Sequence, residues 1–385
     1  MLERRRVGEV PPKPHLRART ASGGVLYEEC LTRAGFDGAF SMLYREHRPH
    51  EALPVSASVS LASPALVPER ALLRRHYRCL ELAAGGTSVE ARTPLLANRD
   101  VTVGFLRPTA PDSVYFSNAD GDELFFVLAG SGVLRSAFGD LAFQSGDYVY
   151  VPKGVPHRLL PTSDEAQAWL WLEFSGGLGL PARYRNPIGQ LRMDAPYSHR
   201  DFRAPDRVSP LDEGIRELAV KRRGTLHGFH SEHSPLDVVG WDGALYPFAL
   251  PILAFSPRVG QVHLPPPVHA TFEAPGALVC SFVPRPLDFH PQANPIPYPH
   301  SSVDVDEVLF YANGAFSSRR GIGAGSLSHH PAGITHGPHP GAYEDESAEK
   351  TTSEVAVMLD CTSPLEATSA ALPLEDAGYH ASFVG

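Results

Sequence analysis

One spaced pattern occurs twice in this chain, and it constrains the fold more than any other feature. Gly146 is followed, after five residues, by Pro152, Lys153 and Gly154, then two residues and His157. Gly325 leads in the same way to Pro331, Ala332, Gly333 and His336. Upstream of each copy lies a glutamate with a glycine seven positions later: Glu123 and Gly130 in ELFFVLAG, Glu307 and Gly314 in EVLFYANG. Four landmarks at matched spacing imply that one structural unit has been duplicated. The landmarks have a physical reading. Glycines permit tight turns between strands, the proline fixes the entry to a strand, and the histidine falls on the strand that follows.

The surrounding sequence suits a mainly β fold. Short apolar runs such as DYVYVP, AWLWLEF, GALVCSFVP and SEVAVMLDC are bounded by Gly, Pro, Asn and Asp, as in sandwiches and barrels. Pro (37) and Gly (34) are abundant enough among 385 residues to leave little room for long helices. The best local helix candidate is residues 68–85, PERALLRRHYRCLELAAG, where HYRCLEL also alternates like a strand. A net charge of −9 gives no basic field for nucleic acid, and no apolar run is long enough to span a bilayer. The ERRR opening has no apolar segment after it and reads as a solvated tail. Cys30, Cys79, Cys280 and Cys361 lie far apart without CxxC spacing, which predicts reduced thiols in a cytoplasmic protein.

The repeat resembles the two motifs of the cupins, small jelly-roll barrels that often hold a metal. The resemblance implies two barrels, centred near residues 100–175 and 250–365, within an N-terminal domain of residues 1–215 and a C-terminal domain of residues 216–385. Cupin metal ligands are two histidines and a glutamate from the first motif and a histidine from the second. In the N-terminal copy the stretch before Glu123, YFSNADGDE, contains no histidine. Only Glu123 and His157 remain there, and a degenerate barrel kept for structure is the expectation. In the C-terminal copy His300 stands seven residues before Glu307, and Ser302 occupies the second histidine position. His300, Glu307 and His336 then form the two-histidine, one-carboxylate set of non-haem Fe(II) oxygenases. Zinc hydrolases use the same ligand types. Eight of the 18 histidines fall between His263 and His339, which favours a metal-centred pocket over histidines scattered on proline-rich loops.

The C-terminal half also resembles the homogentisate 1,2-dioxygenase family. SPLDVVGWDGALYPF (234–248) is similar to that family's SP-x-(D/N)VV-x-W-x-G-x-Y-x-PY segment. VHLPPPVHATFEA (262–274) corresponds to its DHADPSIFTVLTA-like segment and aligns His263 with a pocket histidine. YPHSS followed by Glu307 corresponds to its YYHRN and ligand glutamate, and GSLSHHPAGITHGP (325–338) to its GSLH…PHGPD. NADGDELFFVLAG resembles its metal-free barrel. The likeness runs over most of residues 35 to 375. It departs at Ser301 and Ser302, where the family has Arg and Asn, at Phe316 in place of a pocket Tyr, and at His339 in place of an Asp.

The resemblance implies Fe(II) held by His300, Glu307 and His336 in the C-terminal barrel alone, a small aromatic substrate and O2 as partners, and a trimer-based hexamer. The implied reaction opens homogentisate to maleylacetoacetate, a step of tyrosine and phenylalanine breakdown. His263 is the candidate catalytic base, because imidazole titrates near neutral pH; packing against the LPPP turn is its bland alternative. His330, Tyr298, Phe316 and His336 are the candidate substrate-binding residues, with His330 equally suited to orienting a ligand. His329 and His339 are not expected to be ligands. Two alternatives stay open: a ring-cleaving dioxygenase for another 2,5-dihydroxy aromatic such as gentisate, and a bicupin that binds without catalysis.

Overall fold

The computed structural model describes residues 2–384 apart from 56–58, 61–64, 68–69, 163–164, 209–215, 295, 314–320 and 343–349. Gly314 and the substrate-site candidate Phe316 lie outside the described residues. Regular structure among the described residues is short β-strands and single 3-10 turns, with no α-helix. The helix expected near residues 68–85 is therefore corrected. Arg75–Arg78 is a strand, β1, followed by a 3-10 turn at Cys79–Glu81. Pairing with a distant strand buries Arg75, His76 and Tyr77, and that tertiary burial outweighs the helical preference of the Leu- and Arg-rich segment before it.

The duplication is visible in the strand order. The first half contributes β2 (Thr93–Ala97), β3 (Val101–Leu106), β4 (Asp122–Ala129), β5 (Asp147–Val151) and β6 (Ala168–Phe174). They lie side by side as β5-β4-β6-β3-β2, and β7 (Phe248–Pro251) extends the β5 edge. The second half contributes β8 (Ala270–Ala274), β9 (Ala277–Phe282), β10 (Asp306–Tyr311), β11 (Ser326–His330) and β12 (Ala356–Cys361). These lie as β11-β10-β12-β9-β8, the same path, with β1 added beside β11. The repeated glycines hold matching backbone: Gly154 has φ +83° and Gly333 φ +84°, a left-handed conformation that other residues adopt only at a cost.

Strands are exchanged between the halves. β1 closes the second sheet, while Glu366–Ala367 pairs with β2 in the first. Strand pairing with the first half continues past residue 215: Arg216–Arg222 runs parallel to Tyr115–Asn118, and β7 pairs with β5. Val238–Gly243, from the SPLDVVGWDG block, joins Arg5–Gly8 and Phe40–Arg45 in a four-stranded sheet. Its Trp241 is fully buried and donates its indole N–H to the Phe138 carbonyl at 2.8 Å.

The two main sheets pack against each other. Leu124 and Phe126 of β4 meet Val308 and Phe310 of β10 in one continuous core, with Phe105 and Phe126 ring centroids 5.8 and 6.2 Å from that of Phe310. The alternate residues of β4, Phe125 and Val127, face the other way into the first barrel, with Trp169, Trp171 and Trp241. Burial on both faces explains why ELFFVLA reads as an unbroken apolar run. The corresponding face of the second half carries Leu309 and Met358, but beside them it gathers polar side chains: Glu307 on β10, Ser328 and His330 on β11, and Asp360 on β12. The first half has more aromatic side chains on this face, and the second has more polar ones.

Replacing Phe310 by Ala should cost about 3–5 kcal/mol, the usual range for a buried Phe. A chemical denaturation series should show this as a lower midpoint. A midpoint equal to that of the parent protein would mean that the sheets do not depend on this contact.

Candidate metal centre

Glu307 is the second residue of β10 and pairs across the sheet with His330 on one side and Asp360 on the other. Beyond β11 the chain turns through Pro331–Gly333, and the Gly333 N–H donates to the Ser302 carbonyl at 2.8 Å. This lays His336 against His300, and the two exchange reciprocal backbone hydrogen bonds of 2.8 Å. Ligand atoms of His300, Glu307 and His336 all lie within 4.8 Å of one another. Nε2 of His336 is 3.4 Å, and Nε2 of His300 3.8 Å, from the Glu307 carboxylate. His336 and Glu307 are buried, and His300 is partly open.

The tautomers follow from the partners. Nδ1 of His336 faces the Ile334 carbonyl at 3.0 Å, and Nδ1 of His300 faces the Tyr298 carbonyl at 3.3 Å. A carbonyl only accepts, so each Nδ1 carries the proton and each Nε2 presents its lone pair toward Glu307. Nε2 of His336 is buried without a hydrogen-bond partner, as expected of an atom whose partner is a cation. Separations of this size suit atoms bound about 2.1 Å from one ion. The residues present fit a divalent metal.

The electrostatics agree. Burial alone would raise the Glu307 carboxyl, but the His300, His330 and His336 side chains around it outweigh that and hold the group well below the usual carboxylate range. His330 is fully buried and donates from Nδ1 to Oε1 of Glu307 at 2.8 Å. Its other ring nitrogen lies 3.4 Å from the Tyr379 hydroxyl. His330 thus meets the carboxylate, not the solvent. His263 is half-buried, with its ring edge-on to that of Tyr298 at 5.2 Å. Burial lowers its pKa, with Arg285 and His300 acting in the same direction and Asp288 opposing. The Tyr298 side chain is 51% exposed.

Several residues of the site were not singled out from sequence. Asp306 and Asp122 each precede the glutamate of their copy, and they make the same clamp. Oδ1 of Asp306 accepts from the Ala332 N–H, and Oδ2 from the Leu365 N–H and from Nε2 of His329. Asp122 accepts from Lys153 N–H, Leu178 N–H and the Tyr150 hydroxyl. The repeated DGDE and DVDE were the available signal. His329, beside a ligand-contacting histidine, is a buried partner of Asp306. Asp360 shares the inner face with Glu307 and has no hydrogen-bond or ionic partner among the described residues. Burial, then the charge of Glu307, pushes its carboxyl up to about 7. His269 is buried with Nδ1 unpartnered, and desolvation lowers it to about 4.

The first barrel shows what replaces the metal. His157 pairs with Phe116 where His336 pairs with His300, and the Gly154 N–H meets the Asn118 carbonyl where that of Gly333 meets Ser302. Both histidine positions are therefore lost, to Phe116 and Asn118. Glu123 instead pairs with the buried Arg92 guanidinium at 3.1 Å and accepts from the Trp171 indole at 2.9 Å. That guanidinium sits 4.5 Å over the Phe116 ring. A fixed organic cation neutralises Glu123.

Residues 100–252 match the model of the homogentisate 1,2-dioxygenase N-terminal region. A Saccharolobus solfataricus protein, provisionally named a dioxygenase, is 33% identical over 98% of both chains. The chain belongs to the homogentisate dioxygenase family. Members named homogentisate 1,2-dioxygenase, from Nitrobacter hamburgensis and Bradyrhizobium diazoefficiens, are 29% and 28% identical over 66% of this chain. The matched part spans 58% and 59% of those relatives' own lengths. Among solved structures, a cupin 2 conserved barrel domain protein from Leptotrichia buccalis superposes with a TM-score of 0.36 and 9% identity, over 78% of this chain and all of that one. No helix among the described residues is long and apolar enough to cross a membrane.

Asp360 yields a prediction for metal-free protein. Its raised pKa means that the folded state binds the proton more tightly than the unfolded chain does. Stability is therefore lost as pH rises from about 4, the unfolded value, to about 7. Asp360→Asn, which cannot ionise, should match the parent at pH 4 and exceed it by up to about 4 kcal/mol at pH 8. Thermal unfolding of both proteins across this range is the check. A constant difference at all pH values would show that Asp360 does not titrate in the fold.

Proposed function

We propose that this protein is an Fe(II)-dependent dioxygenase that opens the ring of a 2,5-dihydroxy aromatic acid, with homogentisate as substrate and a maleylacetoacetate-type product. The observation that carries the reading is the convergence of His300, Glu307 and His336 on one side of a polar barrel. Three protein ligands leave coordination positions for a substrate hydroxyl and O2, as in the facial triads of non-haem iron oxygenases. Iron bound there would supply the path for electrons between the aromatic ring and dioxygen that a spin-forbidden direct reaction lacks.

The chain's own residues supply the rest. His330 helps keep Glu307 ionised against the effect of its burial and holds the carboxylate turned. His263 would accept a proton from a hydroxyl of the substrate ring. Burial keeps its pKa below the ordinary histidine value, so the ring is neutral and basic at pH 7. The Tyr298 ring stands edge-on to that of His263, and its carbonyl accepts from Nδ1 of His300. Gentisate is the second substrate to test, because Phe316 and Ser302 stand where the resembled family carries a Tyr and an Asn.

Three outcomes are expected. Ala at His300, Glu307 or His336 should abolish both ring cleavage and most iron retention, while Glu123→Ala and His157→Ala keep iron at the parental level. Metal analysis after anaerobic loading is the measurement, and iron lost from folded His157→Ala would place the centre in the other barrel. O2 uptake with purified enzyme should favour homogentisate over gentisate by at least about tenfold in kcat/KM, a difference of roughly 1.4 kcal/mol. The reverse preference moves the assignment to the second substrate. Finally, His263→Asn should retain iron while kcat falls about 10²–10⁴-fold. The acid limb of the parental pH–rate profile, lying below the usual histidine range, should vanish with it. A variant with the parental rate and profile would remove His263 from the proton transfer.

A further inference from the structure

The C-terminal segment wraps onto the strand and turn that carry the metal-site histidines. Glu375 forms ion pairs with Arg70 and Arg75, and Asp376 pairs with Arg78, which fastens this segment to β1. Tyr379 then enters the interior and is 3% exposed, with its ring 5.3 Å from His76, 5.8 Å from His339 and 5.4 Å from Phe383. Its hydroxyl lies 3.4 Å from Nε2 of His330. No ligand or catalytic assignment above uses this residue.

We propose that Tyr379 is a positioning residue of the metal centre, acting through His330 on Glu307. The inference rests on the metal reading given above and extends it to a residue 72 positions beyond the ligand it controls. A neutral imidazole carries one proton. The Glu307 carboxylate can only accept, so the 2.8 Å contact requires that proton on Nδ1 of His330. Nε2 is then an acceptor, and the phenol facing it is the donor that this tautomer needs. The phenol is a donor that opposes the alternative tautomer, in which a lone pair would be turned toward Glu307. Hydrogen bonds of this outer kind orient a carboxylate ligand and set how firmly it holds its ion.

The arrangement also explains a placement. Arg70, Arg75 and Arg78 come from the N-terminal half, and they fasten the last residues of the chain over a site built in the C-terminal half. Both ends of the sequence therefore contribute to the geometry of one carboxylate.

The test is binding of Co(II), titrated against a competing chelator, to the parent protein, Tyr379→Phe, His330→Asn and the double variant. Phenylalanine keeps the ring packing and removes only the hydroxyl. Asparagine places an amide N–H where Nδ1 of His330 stood, able to donate to Glu307 with no help from residue 379. Tyr379→Phe should weaken Co(II) binding about 10-fold or more and shift the visible d–d bands of the Co(II) protein. In the His330→Asn background the same change should have no further effect on either quantity. Parental affinity and spectrum for Tyr379→Phe would overturn the proposal. So would an undiminished loss in the His330→Asn background, which would mean that Tyr379 acts through packing alone. A parent protein that takes up no Co(II) would overturn both this inference and the metal reading beneath it.

Discussion

A buried carboxylate surrounded by imidazoles governs this molecule. Glu307 is almost wholly removed from water, where an isolated carboxylate would neutralise itself. It stays ionised because His300, His330 and His336 all face it. Two of those rings have Nδ1 committed to backbone carbonyls, so their lone pairs converge on the space beside the carboxylate. The third has Nδ1 committed to the carboxylate itself. A divalent cation would complete that charge pattern, and the strands, turns and C-terminal segment around it hold four side chains in register.

The first barrel solves the same electrostatic problem differently. It keeps the acid pair Asp122 and Glu123 at the positions of Asp306 and Glu307, and it keeps the turn glycine and the histidine. With Phe116 and Asn118 in place of ligands, Arg92 supplies the positive charge, stacked on aromatic rings and paired with Glu123. A guanidinium is permanently charged and occupies the volume that a metal and its open positions would need. Trp169 and Trp171 fill what remains. This barrel then offers its outer face, through Leu124 and Phe126, as the platform on which β10 of the second barrel rests. Duplication has separated support from chemistry.

Much of this was legible in the sequence, for identifiable reasons. The spacing of Gly, Pro, Gly and His encodes turns whose backbone only glycine adopts readily, so the repeat survived as letters. His300, Glu307 and His336 could be read because each sits at a fixed offset from those turns. The aspartates of the clamp carried a repeat signal, DGDE and DVDE, that was overlooked beside the glutamates. Asp360 and Tyr379 left no such mark. Asp360 is defined by lying opposite Glu307 across a strand pair, and Tyr379 by an ion-paired segment that returns from the chain end. Neither relation has a sequence period. The helix expected over residues 68–85 failed for the same reason, since the pairing of β1 with β11 is a long-range event.

The central claim is that one barrel holds a single metal between His300, Glu307 and His336 while the other balances its glutamate with an arginine. Anomalous diffraction at the iron absorption edge, on crystals of protein loaded anaerobically with Fe(II), tests it most directly. The account predicts one peak per chain, within bonding distance of Nε2 of His300, Nε2 of His336 and a carboxylate oxygen of Glu307. A peak between Glu123 and His157, or no peak in either barrel, would contradict it.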